Sequence, residues 1–136
     1  MNDRQAAAAL LSRWMTSQIT NWEFDDQWPW RSRDRAVVDI GREVWRYFSD
    51  LPEFRLGFSD LTAEQQGVLR RCDAFLRSGE EYEPVRYAEP RLGLLARLFR
   101  RRSSPELLDF IVDDERKRWW PFADEAQYRR LEDVPP

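Results

Sequence analysis

Three carboxylates lie close together in the segment "ITNWEFDDQWPW", residues 19–30, and their spacing could support chemistry. Glu23 and Asp26 are three residues apart, so a helix would place them on one face, with Asp25 beside them. Paired carboxylates can act in acid/base catalysis or hold a divalent cation such as magnesium. Acidic residues also favour the first turns of a helix, where they offset the helix dipole. The cluster therefore predicts either a carboxylate-dependent enzyme or a helix N-terminus.

The same segment is crowded with large aromatic rings, at Trp22, Phe24, Trp28 and Trp30. In the structural interpretation these rings plug the space between the first and third helices, and in the alternative they form a partner-binding patch. We favour the structural interpretation, because a cation site usually needs oxygen ligands that converge from elsewhere in the chain, and no other segment indicates them. This interpretation predicts that Trp22 and Phe24 are largely buried, with the acidic side chains at the periphery.

The composition excludes several classes of enzyme. Histidine is absent, which rules out Ser-His-Asp and Cys-His catalysis, histidine-dependent zinc sites and a histidine pH switch. The five glycines form no phosphate-binding loop, and the sequence has neither a nucleophile elbow nor a set of cysteine ligands. The sequence therefore favours a protein that is not an enzyme and that uses no cofactor or metal.

The length of 136 residues favours a single domain over 1–136, and the 42% hydrophobic content is enough to build its core. The net charge of −3 argues against nucleic acid as the default partner, because phosphate binding needs a basic surface. The single cysteine, Cys72, excludes an intramolecular disulfide, and we expect an inert, buried thiol. The N-terminus lacks the apolar core of a signal peptide, and no apolar run reaches the length of a membrane span, so we expect a cytoplasmic location.

Apolar periodicity and capping residues predict an all-α fold, a compact bundle of five to seven short helices with aromatic-rich connections. Capping boxes are indicated at Thr20 and Thr62, and Ser32 is predicted to cap the third helix. Gly79 is predicted to end the helix that Thr62 begins. The predicted helices span 3–17, 20–27, 33–49, 62–79, 91–102 and 104–118, and a last short helix follows "WWPF".

An acidic loop follows the fourth predicted helix and is a candidate for binding a partner. Its candidate contacts are Glu80, Glu81, Tyr82 and Glu83. The next predicted helix, 91–102, is basic and amphipathic, with Arg97, Arg100 and Arg101 opposite its apolar arc. Such a helix can bind an acidic protein, an anionic membrane or RNA, but the glutamates of the acidic loop could also neutralise it within the fold.

Two adjacent tryptophans, Trp119 and Trp120, are the remaining candidates for a partner surface. Neighbouring side chains on a helix point about 100° apart, so burying both rings in one core is awkward. We expect one of the pair to lie near the surface, where tryptophan is a favoured interface anchor.

Several short segments resemble a group of small bacterial proteins of unknown function. These segments are "ITNWEFDD", "VWRYFSDL", "FLRSGEEYE" and "WWPF", and they are similar to the ITN-x-EF-[DE]-[DE], W-x-x-Y-x-D-L, FL-x-[ST]-x-x-E-Y-E and WPF motifs of that group. The resemblance covers most of the chain, although "YEPVRY" stands where the group has a tryptophan-proline pair. It implies a bacterial, cytosolic protein and transfers no catalytic residue, cofactor or activity.

These observations predict a non-catalytic, protein-binding module, of the kind represented by immunity proteins and antitoxins that neutralise a toxin. The predicted partner is a protein, and the negative net charge favours a basic toxin, because opposite charges speed encounter. One alternative is a small magnesium-type enzyme that uses Glu23, Asp25 and Asp26. The other is a membrane-surface adaptor that acts through the basic helix 91–102.

Overall fold

The structure, a computed structural model, describes residues 2–48, 52–84 and 114–131. Within these ranges the chain is all-α, as predicted, and has no β-strand; an isolated antiparallel bridge pairs Thr20 with Arg55. A short 3-10 turn, Phe58–Asp60, precedes the fourth described helix. The described helices are α1 (Asp3–Met15), α2 (Asn21–Gln27), α3 (Arg35–Trp45), α4 (Ala63–Ser78), α5 (Asp114–Trp119) and α6 (Glu125–Arg129).

Local capping determines where most of these helices begin. The side chains of Asn2, Thr20 and Thr62 each accept a hydrogen bond from the backbone amide three residues later, and the side chain at that later position reaches back to the cap. This arrangement is the capping box, and it is confirmed at the two predicted positions, Thr20 and Thr62. α4 also ends as predicted, with Gly79 at a φ of 70°, which glycine adopts without strain.

The predicted cap of α3 is wrong by two residues. Asp34 is the N-cap, because its side chain accepts a hydrogen bond from the Ala36 amide at 3.0 Å. The Ser32 hydroxyl instead accepts a hydrogen bond from the Asp34 amide at 3.1 Å, so Ser32 orients the cap rather than forming it. The helix also ends earlier than predicted, at Trp45.

The core lies where α1 packs against α4. Both α2 and α3 also pack against α1. Trp14 of α1 is fully buried at its centre. Its indole contacts three phenylalanine rings, Phe24, Phe48 and Phe54, at centroid separations of 5.8, 4.7 and 5.5 Å. Rings that meet edge-on or tilted in this way contribute beyond the area they bury. α2 is therefore positioned by aromatic packing against α1 and the segment after α3.

Cys72 of α4 is fully buried, as predicted. Burial raises the pKa of its thiol well above the ordinary value, and the nearby Glu43 raises it further. Because the thiolate is the reactive form, we expect a thiol reagent at pH 8 to label the folded protein at least roughly 100-fold more slowly than the protein in urea. Stopped-flow absorbance with a disulfide reagent measures both rates. Labelling of the native protein at the unfolded rate would contradict this placement.

Candidate partner-binding site

Two hydrogen-bond systems fix the N-terminus of α2. The Thr20 side chain accepts from the Glu23 amide at 3.2 Å, and the Glu23 carboxylate accepts from the Thr20 amide at 3.2 Å. Asn21 is buried, and its side-chain amide donates to the Pro52 carbonyl at 3.3 Å and accepts from the Phe54 amide at 2.9 Å. The start of α2 is thus tied to the segment that follows α3.

Two of the four rings predicted to fill the space between the helices, Phe24 of α2 and Trp28 at its C-cap, form a buried aromatic peg. Phe24 and Trp28 are buried, and their rings stack at a centroid separation of 4.8 Å. The Trp28 indole N–H donates to the Val37 carbonyl at 3.1 Å, which joins the end of α2 to α3. The indole also lies directly over Gly41 of α3, where any Cβ would overlap it. Burial of Phe24 is therefore confirmed, and its role is to hold α2 in place.

The predicted burial of Trp22 is wrong. Its side chain is 58% exposed, and no other large hydrophobic side chain in the described ranges is classed as exposed. The physical reason is the helical period. Residues two apart on an α-helix point about 200° apart, so once Phe24 faces the core, Trp22 must face outward. The capping box at Thr20 fixes only where α2 begins, and the packing of the helix decides that Phe24 rather than Trp22 faces the core.

Trp22 shares its face of α2 with two carboxylates. Asp25 and Asp26 follow it by three and four residues, the spacing of neighbours on a helix surface, and both are exposed. We call Trp22, Asp25 and Asp26 the Trp22 face. Glu23 and Glu53 border it, since Glu53 accepts a hydrogen bond from the Thr20 hydroxyl at 2.9 Å.

The carboxylates of this segment do not gather into a metal site. Glu23 is engaged in the capping box, while Asp25 and Asp26 project from the surface. Among the described residues no three or more aspartate, glutamate or cysteine side chains are close enough together to hold a metal ion. The geometry here is a buried aromatic peg with peripheral acids.

Much of the acidic loop is tied into the fold. The Glu80 carboxylate accepts a hydrogen bond from the Gln127 side chain at 3.2 Å and pairs with Arg130 at 3.7 Å. The Glu81 carbonyl accepts from the same Gln127 amide at 3.0 Å. Glu83 pairs with Arg116 at 3.2 Å. These contacts bind the 80–84 segment to α5 and α6, and they leave the Glu81 and Glu83 side chains as its exposed acids.

Tyr82 links this loop to the core through two hydrogen bonds. Its hydroxyl donates to the buried Asp39 carboxylate at 2.9 Å and accepts from the Trp120 indole N–H at 3.1 Å. Asp39 also pairs with Arg35 at 3.0 Å. Burial and, next, the Asp39 charge raise the pKa of Tyr82 far above its ordinary value. Sequence reasoning did not find Asp39, because a single aspartate within an apolar helix stripe carries no local sign of its partner.

The two adjacent tryptophans lie in different environments. Trp120 is fully buried, so its indole has no surface to offer a partner and belongs to the core. Trp119 is half-buried. Its ring centroid lies 5.3 Å from the Tyr128 ring centroid and 6.0 Å from the Arg118 guanidinium carbon. Of this pair, Trp119 keeps some surface for contact.

The basic helix predicted over 91–102, with its candidates Arg97, Arg100 and Arg101, lies outside the described residues. In the part of the chain that the structure describes, no helix has the length and apolar character needed to cross a membrane.

Comparison with protein-family models, with curated proteins and with solved structures finds no match to this chain.

Proposed function

We propose that this protein is a non-catalytic binding module that docks a basic protein partner through the Trp22 face. The observation that carries this proposal is the 58% exposure of Trp22 on a helix whose other aromatic ring, that of Phe24, is buried. Removing a large apolar ring from water in an interface is favourable, and tryptophan is enriched among the residues that dominate binding energy.

The charge around Trp22 supports a basic partner. Asp25 and Asp26 share its face, and Glu23 and Glu53 lie at its border. Negative potential around an apolar anchor speeds encounter with a positively charged surface and rejects acidic competitors. A toxin with a basic active surface is a partner of this kind, and an immunity protein or antitoxin is a binding module that neutralises such a toxin.

The rigidity of α2 also supports a docking role. Its N-terminus is held by the capping box and by the Asn21 contacts, and its C-terminal end by the Trp28 indole. A side chain presented on a helix anchored at both ends loses little further freedom on binding. Affinity per contact is higher when the binding surface is already ordered.

The test is capture of partners from the native lysate with three baits: the parent, Trp22→Ala, and the double variant Glu81→Gln/Glu83→Gln. We expect the parent to retain one stoichiometric protein with a basic sequence. Trp22→Ala should weaken its binding by roughly 30-fold or more, as for an interface hot spot. The Glu81/Glu83 variant removes the same kind of surface charge from the acidic loop and should bind as the parent does.

Affinities of the recombinant pair, measured by calorimetry, decide the outcome. The proposal fails if Trp22→Ala binds as tightly as the parent, or if the loop variant alone loses binding. Equal circular dichroism spectra and melting temperatures for all three baits show that folding is not the cause.

A further inference from the structure

We propose that the Trp22 face recognises an arginine side chain of the partner, with the guanidinium stacked on the Trp22 indole and its N–H groups donating to Asp25 or Asp26. This inference rests on the proposed function, because it names the chemical group that the docking surface selects. It draws on three features of α2 within the described residues: the free face of the indole, the carboxylates one turn away, and the lack of a cation from that part of the chain between them.

The indole of Trp22 is free to accept a stacking group. Among the described residues, it makes no ring contact and no arginine lies over it, whereas arginines do lie over Phe58, Phe75 and Trp119. The face of a tryptophan ring carries negative electrostatic potential and attracts a cation more strongly than the faces of the other aromatic residues. As far as the described residues go, the face of the Trp22 indole is therefore open to a cation.

The carboxylates that complete the site are also free within the described ranges. The Asp25 and Asp26 side chains take part in no ion pair or hydrogen bond there, although the Asp25 backbone carbonyl accepts from the Trp30 indole at 2.8 Å. Glu23 and Glu53, by contrast, accept hydrogen bonds from Thr20. The two aspartates lie one turn from Trp22, where neighbouring Cβ atoms are about 5–6 Å apart. That spacing lets one planar group touch the ring and a carboxylate together.

Arginine fits this pair of surfaces better than lysine or an apolar side chain. The guanidinium is planar, so it can stack flat on the indole while the donors at its edge reach a carboxylate. An ammonium is compact and strongly hydrated, and stacks less well. An apolar side chain packed on Trp22 would displace water from the aspartate carboxylates without replacing the hydrogen bonds that the water made.

The experiment uses three fluorescently labelled hexapeptides of arginine, lysine and citrulline, with fluorescence anisotropy at low salt. Citrulline has the shape of arginine without its charge. We expect the parent protein to bind the arginine peptide most tightly and the citrulline peptide least. Trp22→Leu, which keeps an apolar side chain but removes the ring, should weaken arginine binding by about 2- to 5-fold and lysine binding by less. Trp22→Phe should lie between the parent and Trp22→Leu.

Two charge variants separate this site from general attraction to an acidic protein. Asp25→Asn/Asp26→Asn should weaken arginine binding and reduce the preference for arginine over lysine. Glu81→Gln/Glu83→Gln, which removes two charges elsewhere, should leave that preference unchanged. The proposal is overturned if Trp22→Leu keeps the parent's affinity for the arginine peptide, or if citrulline binds as well as arginine.

The two proposals fail in different ways. If partner capture depends on Trp22 but the peptides show no preference for arginine, the docking surface stands and arginine recognition falls. If the arginine preference depends on Trp22 but no partner is captured, the docking function falls and the cation site stands.

Discussion

Trp28→Ala is expected to lower the free energy of unfolding by about 3–5 kcal/mol, the cost of deleting a buried aromatic side chain from a core. The Trp28 ring is 3% exposed, stacks on Phe24 and donates to the Val37 carbonyl at 3.1 Å. Its loss opens a cavity between α2 and α3, and the rigid neighbours can close it only in part. Urea unfolding followed by circular dichroism measures the change.

The matched control is Trp22→Ala, the same substitution six residues earlier in the chain, within α2. Because Trp22 is exposed, we expect a change within about 0.5 kcal/mol. Comparing the two variants thus separates two roles within the tryptophan-rich segment: Trp28 stabilises the fold, and Trp22 is proposed to bind a partner. Equal destabilisation by both variants would contradict this division.

Gly41→Ala tests the same contact from α3. The added methyl would overlap the Trp28 indole, so we expect the free energy of unfolding to fall by about 1–3 kcal/mol. At an exposed helical position the same substitution would raise it. Gly67→Ala on α4 is the control, because its nearest neighbour there is the end of the flexible Arg71 side chain.

Tyr82→Phe is the second substitution with a large expected effect, a loss of roughly 2–4 kcal/mol. It removes one hydroxyl and leaves two buried groups without their partner: a lone pair of the Asp39 carboxylate and the Trp120 indole N–H. The cost of each orphaned group exceeds the net value of an ordinary hydrogen bond. Tyr128→Phe is the control, because the Tyr128 hydroxyl makes no hydrogen bond among the described residues and its ring packing would be kept. A Tyr82→Phe change no larger than the control's would contradict the assigned role.

The same hydroxyl predicts a pH dependence with a definite sign. Burial and the Asp39 charge raise the pKa of Tyr82 in the folded protein, whereas its pKa in the unfolded chain is about 10. Above that pH the unfolded chain releases a proton that the folded protein retains, so the stability contributed by Tyr82 is intact below pH 10 and falls by about 1.4 kcal/mol per pH unit above it. The stability difference between the parent and Tyr82→Phe should therefore narrow above pH 10. Unfolding curves at pH 8, 10 and 11 measure that difference.

The starts of α2 and α4 were predictable because the hydrogen bonds of one capping residue decide each of them. Thr20 and Thr62 cap as predicted, and Gly79 ends α4, because each interaction spans only a few residues. The failure at α3 has the same local origin. Ser32 and Asp34 are both good capping residues two positions apart, and the sequence holds little to choose between them.

The sequence by itself determined the all-α class, the caps at Thr20, Thr62 and Gly79, and the burial of Phe24 and Cys72, because periodicity and short-range hydrogen bonds encode them. The tertiary structure decided which charged and aromatic groups remain at the surface. Glu80 meets Gln127 across 47 residues, and Tyr82 meets Asp39 across 43. Such pairings depend on how helices stack, and no local pattern specifies them. They hold the acidic loop against the rest of the fold. Likewise, only the packing of α2 shows that Trp22, unlike Phe24, faces the surface.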